Sequence, residues 1–454
     1  MSLQLQFLGG ASTVTGSKYL LSFEGQNILV DCGLFQGVKS LRLKNWDGFA
    51  IEASKIDAVI LTHAHIDHSG FIPRLIKKGF RGKIYSTAAT KDLCAILLPD
   101  SGHLMEEEAD YLNRTKRSKH SPALPLFTQE EGEKALTYFE TVGFHETQKI
   151  GDHFEFEFSY AGHILGAASA VVSVDGKRIG FSGDVGRLVD PLFYPPEPLK
   201  NVDYLIVEST YGNRLHKNTD VLTELERVIH ETYARKGVII IPAFAVGRVQ
   251  SLMHSLWTLK KQNRIPDFPM YLNSPMATNV NPLLTQYRDL HRLSEDDCRQ
   301  VCEVVKYVRT VEESIEINAR RGPMLIISAS GMLTGGRVLH HLKAFAPFPQ
   351  NTILLSGFQA AGTRGEALQN GAEEIKIHGT YVSVRAKVEV LDNISAHADY
   401  KEIITWLEQS KIHPRKVFVT HGEASSADEL RRRLTESFGW DCIVPEQDQK
   451  VVLE

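Results

Sequence analysis

The stretch LTHAHIDHSG at residues 61–70 constrains this chain more than any other. Four side chains of the kind that bind metals fall within six positions, directly after the apolar run DAVILT: His63, His65, Asp67 and His68. Imidazoles with carboxylates suit zinc or a similar first-row ion. A stiff loop that leaves a strand can point alternate side chains at one spot. We therefore expect His63 and His65 to hold one ion, and Asp67 and His68 a neighbouring one.

Other segments must complete the coordination, because two protein ligands per ion are too few. The spacing is not HExxH, so a helical metalloprotease site is excluded. Candidates at strand ends beside glycines are His163 in AGHILGA, Asp184 in FSGDVG and His421 in THGE. A carboxylate can bridge two cations, and Asp184 is the natural choice. Asp31 in ILVDCG is expected to orient a ligand histidine from behind.

The order of patterns along the 454 residues predicts one domain inserted into another. Short strands dominate the first part, where the DG turn in ASAVVSVDGKRIGFSGD predicts a hairpin. TQEEGEKALTYFETV reads as a helix. From about residue 212 helices alternate with apolar strands, starting with a helix at 219–235, which indicates a parallel sheet covered on both faces. The predicted boundaries are 1–208 and 385–454 for the outer domain and 209–384 for the insert.

Composition narrows the class of protein. A net charge of −4 argues against sequence-blind coating of nucleic acid, although a local cleft can still bind it. No apolar run reaches the length of a membrane span, and the N-terminal residues do not resemble a signal peptide. Five scattered cysteines fit a reducing compartment. We expect a cytoplasmic enzyme that does not bind membranes.

Seven ordered motifs resemble those of one family. NILVDCG, THAHIDHSG, GHILGA and SGDVG are similar to the four signature motifs of the metallo-β-lactamase fold. VESTYGNR, SAHAD and VTHGE resemble the further motifs of its β-CASP branch, which processes nucleic acids. The chain is most similar to the RNA endonuclease subunit of the cleavage and polyadenylation specificity factor and its stand-alone bacterial and archaeal relatives. The resemblance implies an α/β fold, a metallo-β-lactamase αββα sandwich with an inserted β-CASP α/β domain.

The resemblance also implies two Zn²⁺ per chain. One ion would be held by His63, His65, His163 and Asp184, and the other by Asp67, His68, His421 and the shared Asp184. The residues expected to take part in catalysis are Asp67, Glu208 and His397. His397 would contact the scissile phosphate and act as general acid, and Glu208 would orient it.

These parts predict hydrolysis of single-stranded RNA. A hydroxide bridging the two zinc ions would attack phosphorus in line, since zinc lowers the pKa of bound water. His397 would protonate the leaving 3′ oxygen, giving 5′-phosphate and 3′-hydroxyl ends. In this family a histidine at the position of His421 favours RNA over DNA.

Loops of the inserted domain are the expected substrate contacts. SASGMLTGGRVLHHL (328–342) and GFQAAGTRGEAL (357–368) place small residues before helices, where backbone N–H groups suit a phosphate, and PAFAVGR adds an arginine. Tight packing turns are the alternative for either loop. The predicted contacts are Arg248, Ser330, Gly331, Thr334, Gly335, Gly336, Thr363 and Arg364.

Several alternatives stay open at this point. A 5′–3′ exoribonuclease shares every motif, and endonuclease cleavage is favoured because the chain lacks the long C-terminal extension of ribonuclease J-type enzymes. A DNA nuclease, a small-molecule thioester or lactone hydrolase and a non-catalytic RNA-processing subunit are the other rivals. A homodimer is compatible with the sequence, and the sequence does not decide whether Mn²⁺ can replace Zn²⁺.

Overall fold

The computed structural model describes residues 2–48, 51–118, 120–217, 219–357 and 359–454. The chain forms two units, the first made of Met1–Leu215 and His397–Glu454 and the second of His216–Ala396. Among the described residues, no helix combines the length and the apolar character needed to cross a membrane.

The strands and helices are numbered in chain order over the described residues. The strands are β1 Leu3–Gly9, β2 Lys18–Phe23, β3 Gln26–Val30, β4 Ala58–Ile60, β5 Lys83–Ser86, β6 Phe139–Thr141, β7 Gln148–Ile150, β8 Phe154–Tyr160, β9 Ala168–Val174, β10 Lys177–Phe181, β11 Tyr204–Glu208, β12 Val238–Pro242, β13 Met270–Asn273, β14 Lys306–Tyr307, β15 Met324–Ser328, β16 Thr352–Ser356, β17 Glu374–Ile377, β18 Thr380–Ser383, β19 Lys387–Leu391, β20 Lys416–Thr420, β21 Cys442–Ile443 and β22 Lys450–Leu453. The helices are α1 Lys39–Lys44, α2 Ile66–Ser69, α3 Ile72–Lys77, α4 Ala88–Thr115, α5 Gln129–Ala135, α6 Val221–Ala234, α7 Arg248–Lys261, α8 Pro275–Gln286, α9 Glu295–Glu303, α10 Val311–Ala319, α11 Val338–Phe345, α12 Arg364–Gln369, α13 Tyr400–Ser410 and α14 Ala424–Phe438.

Two seven-stranded sheets form the centre of the first unit. Their strand orders are β22-β1-β2-β3-β4-β5-β6 and β21-β20-β11-β10-β9-β8-β7. Alternate residues of both sheets face one shared apolar core, which includes Phe7, Phe156, Phe158, Phe181 and Phe418. Because side chains alternate across a strand, the opposite face of each sheet must be covered by helices.

Helices cover these outer faces. Trp406 of α13 and Leu430 of α14 are buried against Val207 of β11 and Val419 of β20. On the other sheet, α4 contacts β6 and packs against α5. The layers are therefore helix, sheet, sheet and helix, and the predicted αββα sandwich is confirmed.

The last segment of the chain completes both sheets of the first unit. β22 pairs antiparallel with β1, with Leu3 opposite Leu453. β20 pairs parallel with β11, with Glu208 opposite Thr420. These pairings bring the last segment of the chain into the sheets of the first unit.

The second unit is built on a parallel six-stranded sheet with the order β14-β13-β15-β12-β16-β19. β12 contacts both α11 and α6, as expected of a strand with a continuous apolar run. β19 hydrogen-bonds to β16, so Lys387–Leu391 belongs to this sheet. The predicted boundary at 384/385 places that strand in the outer domain, whereas the compact units divide at 396/397.

Two local patterns had different outcomes. The DG turn joins β9 and β10 as an antiparallel hairpin, with Val174 opposite Lys177. The helix predicted over TQEEGEKALTYFETV covers only Gln129–Ala135, where Thr128 and Glu131 form a capping box. The C-terminal part of this segment forms strand β6 instead, which pairs with β5. That part of the prediction was wrong, because a parallel partner distant in sequence overrides the helical spacing.

Candidate metal centre

The predicted ligands of the first unit lie at the ends of neighbouring strands. Asp184 follows β10, Glu208 ends β11, and His421 follows β20. These three strands run parallel to one another. Asp31 and His63 follow the parallel neighbours β3 and β4. Because the carboxyl ends of parallel strands share one edge, side chains from distant parts of the sequence meet there.

A first group of ligand atoms surrounds one oxygen of Asp184. Its Oδ2 lies 3.3 Å from His63 Nε2 and 3.5 Å from His163 Nε2. His65 Nδ1 lies 3.1 Å from His163 Nε2. One ligand atom from each of these four residues falls within 4.8 Å of the others, the spacing that a single ion requires.

A second group faces the other oxygen of the same carboxylate. Asp184 Oδ1 lies 3.2 Å from His68 Nε2 and 3.4 Å from His421 Nε2. Asp67 Oδ2 is 3.9 Å from His421 Nε2, and the ligand atoms of Asp67, His68 and His421 also fall within 4.8 Å of one another. The structure thus brings all seven predicted ligands together, with Asp184 between the two groups. Their coordination of zinc stays a prediction.

The chemistry of this cluster fits metal ions. Within the described residues, His63 Nε2, His68 Nε2 and Asp184 Oδ1 are buried polar atoms with no hydrogen-bond partner. Such atoms cost free energy unless something binds them. Burial lowers the pKa of His63, and it lowers that of His65 to about 3, so both imidazoles are held in the neutral form that binds metals.

Charge within the cluster favours an anionic carboxylate. Burial alone would raise the pKa of Asp184, but His421, His68 and His63 hold it well below its usual value. Burial alone would lower the pKa of His68, but Asp184 and Asp31 raise this pKa well above its usual value. A buried carboxylate that attracts several positive partners is a suitable bridge between cations.

Backbone geometry brings these groups close. His421 has φ 48° and Asp31 has φ 58°, the left-handed region that few non-glycine residues adopt. Gly33 lies against the loop that carries Asp67 and His68, and a Cβ there would sit 1.6 Å from the carbonyl oxygen of Asp67. Only glycine allows that approach.

His397 and Glu208 form a pair beside the cluster. His397 Nδ1 lies 3.2 Å from Glu208 Oε1 and 3.9 Å from Asp184 Oδ2. Glu208 Oε1 also accepts the N–H of Val185 at 2.7 Å, and its Oε2 accepts that of Thr210 at 3.2 Å. Burial would lower the pKa of His397, but Glu208 raises it above its usual value. The arrangement suits a proton donor held by a buried carboxylate.

Three residues contact the imidazoles on the side away from Asp184. Asp31 Oδ2 lies 2.7 Å from His68 Nδ1, and its role as an orienting carboxylate stays a prediction. Thr62 Oγ1 contacts His63 Nδ1 at 3.1 Å, and Ser17 Oγ contacts His421 Nδ1 at 2.8 Å. Thr62 and Ser17 were not predicted from the sequence. The one local signal for Thr62 is its position directly before His63.

The predicted substrate contacts all lie in the second unit, where several have internal partners. The Thr363 side chain caps α12 and donates to the carbonyl of Ala360 at 2.7 Å. Arg364 donates to the carbonyls of Lys376 at 2.6 Å and Leu333 at 2.9 Å. These two side chains therefore hold the loops together, and their contact with substrate stays a prediction.

The remaining predicted contacts differ in exposure. Ser330 Oγ lies 3.0 Å from Thr334 Oγ1, at an exposed turn. Gly335 has no atom within 4 Å of an added Cβ, whereas Gly331 packs on Phe244 and Gly336 has φ 75°. Arg248 is buried at the start of α7. Of this set, the turn containing Ser330, Thr334 and Gly335 is the one most open to a ligand.

Comparisons with known proteins agree with this fold and cluster. The metallo-β-lactamase superfamily model matches residues 14–236, the Beta-Casp domain model 249–368, and the Zn-dependent metallo-hydrolase RNA specificity domain model 381–445. Ribonuclease TTHA0252 of Thermus thermophilus is 34% identical over 91% of this chain and 92% of its own length. An RNase J-like protein of Methanocaldococcus jannaschii is 31% identical over 92% of each chain.

Two further matches are to a longer protein and to a solved structure. Transcription termination factor FttA of Methanocaldococcus jannaschii is 32% identical over 95% of this chain and 69% of its own length. A crystal structure of a protein of unknown function from Enterococcus faecalis V583 covers 100% of both chains with a TM-score of 0.56 at 14% identity, a likeness of fold alone. The chain therefore belongs to the β-CASP ribonucleases of the metallo-β-lactamase superfamily, a family of metal-dependent RNA hydrolases.

Proposed function

We propose that this chain is an endoribonuclease that cuts single-stranded RNA with two Zn²⁺ and leaves 5′-phosphate and 3′-hydroxyl ends. The observation that carries the proposal is the position of Asp184, whose two oxygens face two separate groups of ligand atoms in a buried site. A single-metal hydrolase would need only one such group.

The ligands are assigned by the oxygen of Asp184 that they face. His63, His65 and His163 would hold one ion with Oδ2, and Asp67, His68 and His421 would hold the other with Oδ1. Zinc ions bound there would supply a hydrolytic nucleophile near neutral pH and would stabilise negative charge on the phosphoryl oxygens. The neutral, buried imidazoles of His63 and His65 provide their lone pairs without first losing a proton.

His397 is assigned the proton transfer to the leaving group. Its Nδ1 lies 3.2 Å from Glu208 Oε1, and we assign the proton transfer to the other ring nitrogen, Nε2. As the bond from phosphorus to the 3′ oxygen breaks, His397 gives that oxygen a proton, and the oxygen of water remains on phosphorus in the 5′-phosphate product. Glu208 is almost completely buried and acts through His397, not on RNA directly.

The substrate assignment rests on family likeness and on the second unit. Two of the matched relatives are named ribonucleases, and one matched family model is described as an RNA specificity domain. The exposed turn of Ser330, Thr334 and Gly335 offers hydroxyl and backbone groups suited to an RNA phosphate. The buried Arg248 and the loop-holding residues Thr363 and Arg364 would shape this surface.

A product map tests the proposal. An RNA labelled at its 5′ end, with a single-stranded loop in mid-chain, is incubated with the protein, with and without a chelator. Internal fragments that carry 5′-phosphates on the downstream side, lost on chelation and in His397→Ala, are expected. The matched control is His413→Ala, which removes an exposed histidine outside the site. If only 5′ mononucleotides are released, the protein is an exonuclease and the proposed endonuclease activity is wrong. If a matched DNA is cut equally well, the proposed preference for RNA is wrong.

A further inference from the structure

Three of the ligand histidines share a feature that the proposed function does not use. Each contacts, through Nδ1, a side chain that is not a metal ligand: Asp31 for His68, Thr62 for His63, and Ser17 for His421. All three supporting side chains are buried. The nitrogen on the other side of each ring, Nε2, is the one that lies near Asp184.

The direction of two of these hydrogen bonds follows from the acceptors. A carboxylate only accepts, so His68 Nδ1 donates its hydrogen to Asp31. Thr62 Oγ1 lies 3.0 Å and 2.9 Å from the two oxygens of Asp31 and therefore donates to them. Its hydroxyl has one hydrogen, so it can only accept from His63 Nδ1 at 3.1 Å. With its hydrogen on Nδ1, the neutral ring of His63 has a lone pair on Nε2. The Nε2 atoms of His63 and His68 are both buried polar atoms left without a hydrogen-bond partner among the described residues.

A hydroxyl also contacts the third ring. Ser17 Oγ lies 2.8 Å from His421 Nδ1, on the side of the ring away from Asp184. His421 Nε2 lies 3.4 Å from Asp184 Oδ1, so the contact with Ser17 helps to hold this nitrogen toward the second group of ligand atoms.

We propose that Thr62 and Ser17 are positioning residues that each set the zinc affinity of a different site. Thr62 acts through His63 on the ion held with Asp184 Oδ2, and Ser17 acts through His421 on the ion held with Asp184 Oδ1. Asp31 supports both sites, directly through His68 and through Thr62 to His63. The inference rests on the two-zinc site of the proposed function.

The physical reason is a choice between tautomers. Without its hydroxyl partner, a neutral imidazole places its hydrogen on either nitrogen, and a hydrogen on Nε2 blocks the ligand atom. The ring also loses the contact that fixes its orientation. Loss of such supporting groups in metal proteins typically weakens binding by about 10–100-fold. Loss of either hydroxyl should therefore weaken most the site whose histidine it contacts.

The experiment measures zinc binding, not catalysis. Thr62→Val and Ser17→Ala are titrated against a graded series of chelators, with retained zinc counted by mass spectrometry. Each is also placed in His163→Ala, which disables the first site, and in Asp67→Ala, which disables the second. The matched controls are Thr232→Val and Ser410→Ala, which remove buried hydroxyls that bond only away from the cluster.

The proposal expects a crossed pattern. In the His163→Ala background, Ser17→Ala weakens the remaining zinc by about 10–100-fold, and Thr62→Val weakens it less, because Thr62 reaches His68 only through Asp31. In the Asp67→Ala background, Thr62→Val weakens the remaining zinc by about 10–100-fold and Ser17→Ala leaves it unchanged. Thr62→Ser, which keeps the hydroxyl, should bind zinc like the parent.

Two results would overturn the proposal. One is parental affinity in both variants, and the other is equal weakening by each variant in both backgrounds. If Thr62→Val does not fold, Thr62→Ala replaces it, and the Ser17→Ala comparison decides its half of the proposal alone. A parent that retains one zinc per chain refutes the two-zinc assignment of the proposed function instead, and its measurement comes first.

Discussion

Replacement of Glu208 by glutamine tests the proposed proton donor most directly. Glu208 is almost fully buried and lies 3.2 Å from His397 Nδ1. Glutamine keeps the size of the side chain and a carbonyl that can accept from Nδ1, so the ring should stay in place. The substitution removes the negative charge and the oxygen that accepts the N–H of Thr210.

The expected loss follows from that charge. At 3.2 Å a carboxylate and an imidazolium attract each other by about 5 kcal/mol at an effective dielectric of 20, and the amide retains part of this. Because Glu208 raises the pKa of His397, its loss lowers that pKa and depletes the protonated ring at neutral pH. We expect kcat to fall by roughly 10²-fold, within the range that general acid catalysis supplies. The alkaline limb of the pH–rate profile should move to lower pH.

Steady-state cleavage of a fluorescent RNA oligonucleotide provides the assay, with zinc content measured in parallel. KM and zinc content should stay at parental values, since Glu208 neither faces solvent nor binds an ion in the proposed site. The double variant Glu208→Gln/His397→Ala should be no slower than His397→Ala alone. Multiplicative losses in the double variant would refute the idea that Glu208 acts through His397. Glu131→Gln, which alters a capping-box carboxylate far along the chain, is the matched control.

Three further outcomes are expected. Removal of metal should abolish cleavage and lower the melting temperature, and added zinc at 100 times its dissociation constant should restore about 3 kcal/mol of stability; unchanged melting would contradict a buried metal site. Because burial lowers the pKa of Lys18 to about 8, the free energy of unfolding of the parent should rise by about 3 kcal/mol relative to that of Lys18→Met between pH 8 and 10.5. Denaturant unfolding measures this difference, and a difference that does not change with pH would refute the prediction. Gly33→Ala should cost about 2–3 kcal/mol and weaken zinc binding, because its Cβ would meet the Asp67 carbonyl; Gly48→Ala, in open space, should do neither.

Local chemistry made much of the fold predictable. The turn of the β9–β10 hairpin places Asp175 at φ 52° and Gly176 at φ 70°, values that the DG pair favours wherever it occurs. Helix α6 begins at Val221 with Asp220 as its cap, close to the predicted 219–235. In both cases the signal and the structure lie within a few residues of each other.

Contacts between distant segments were not predictable in this way. Strand β6 carries helical spacing and becomes a strand because β5 offers it a partner. β19 resembles a strand of either domain, and its pairing with β16 alone assigns it to the second sheet. A single sequence shows which segments are apolar, but it does not show which strand each segment will pair with.

The candidate site shows the same division. Histidines and aspartates in motifs are rare enough to single out, and the structure brings the seven ligands together. Ser17 is one hydroxyl among many in the run ASTVTGS, and only its contact with His421 distinguishes it from Thr13 or Thr15. Supporting residues become recognisable when the fold specifies which ring each one touches.

The pairing of the last strands with the first ones has a consequence for biosynthesis. The second unit is continuous in sequence, so all of its strands leave the ribosome together and can fold early. The first unit waits for β20 and β22, and His421 is the last of the cluster to be synthesised. A nascent or truncated chain that ends before that histidine lacks the complete proposed metal site. The order of the elements would thus delay cleavage of RNA until the segment that carries His421 has been synthesised.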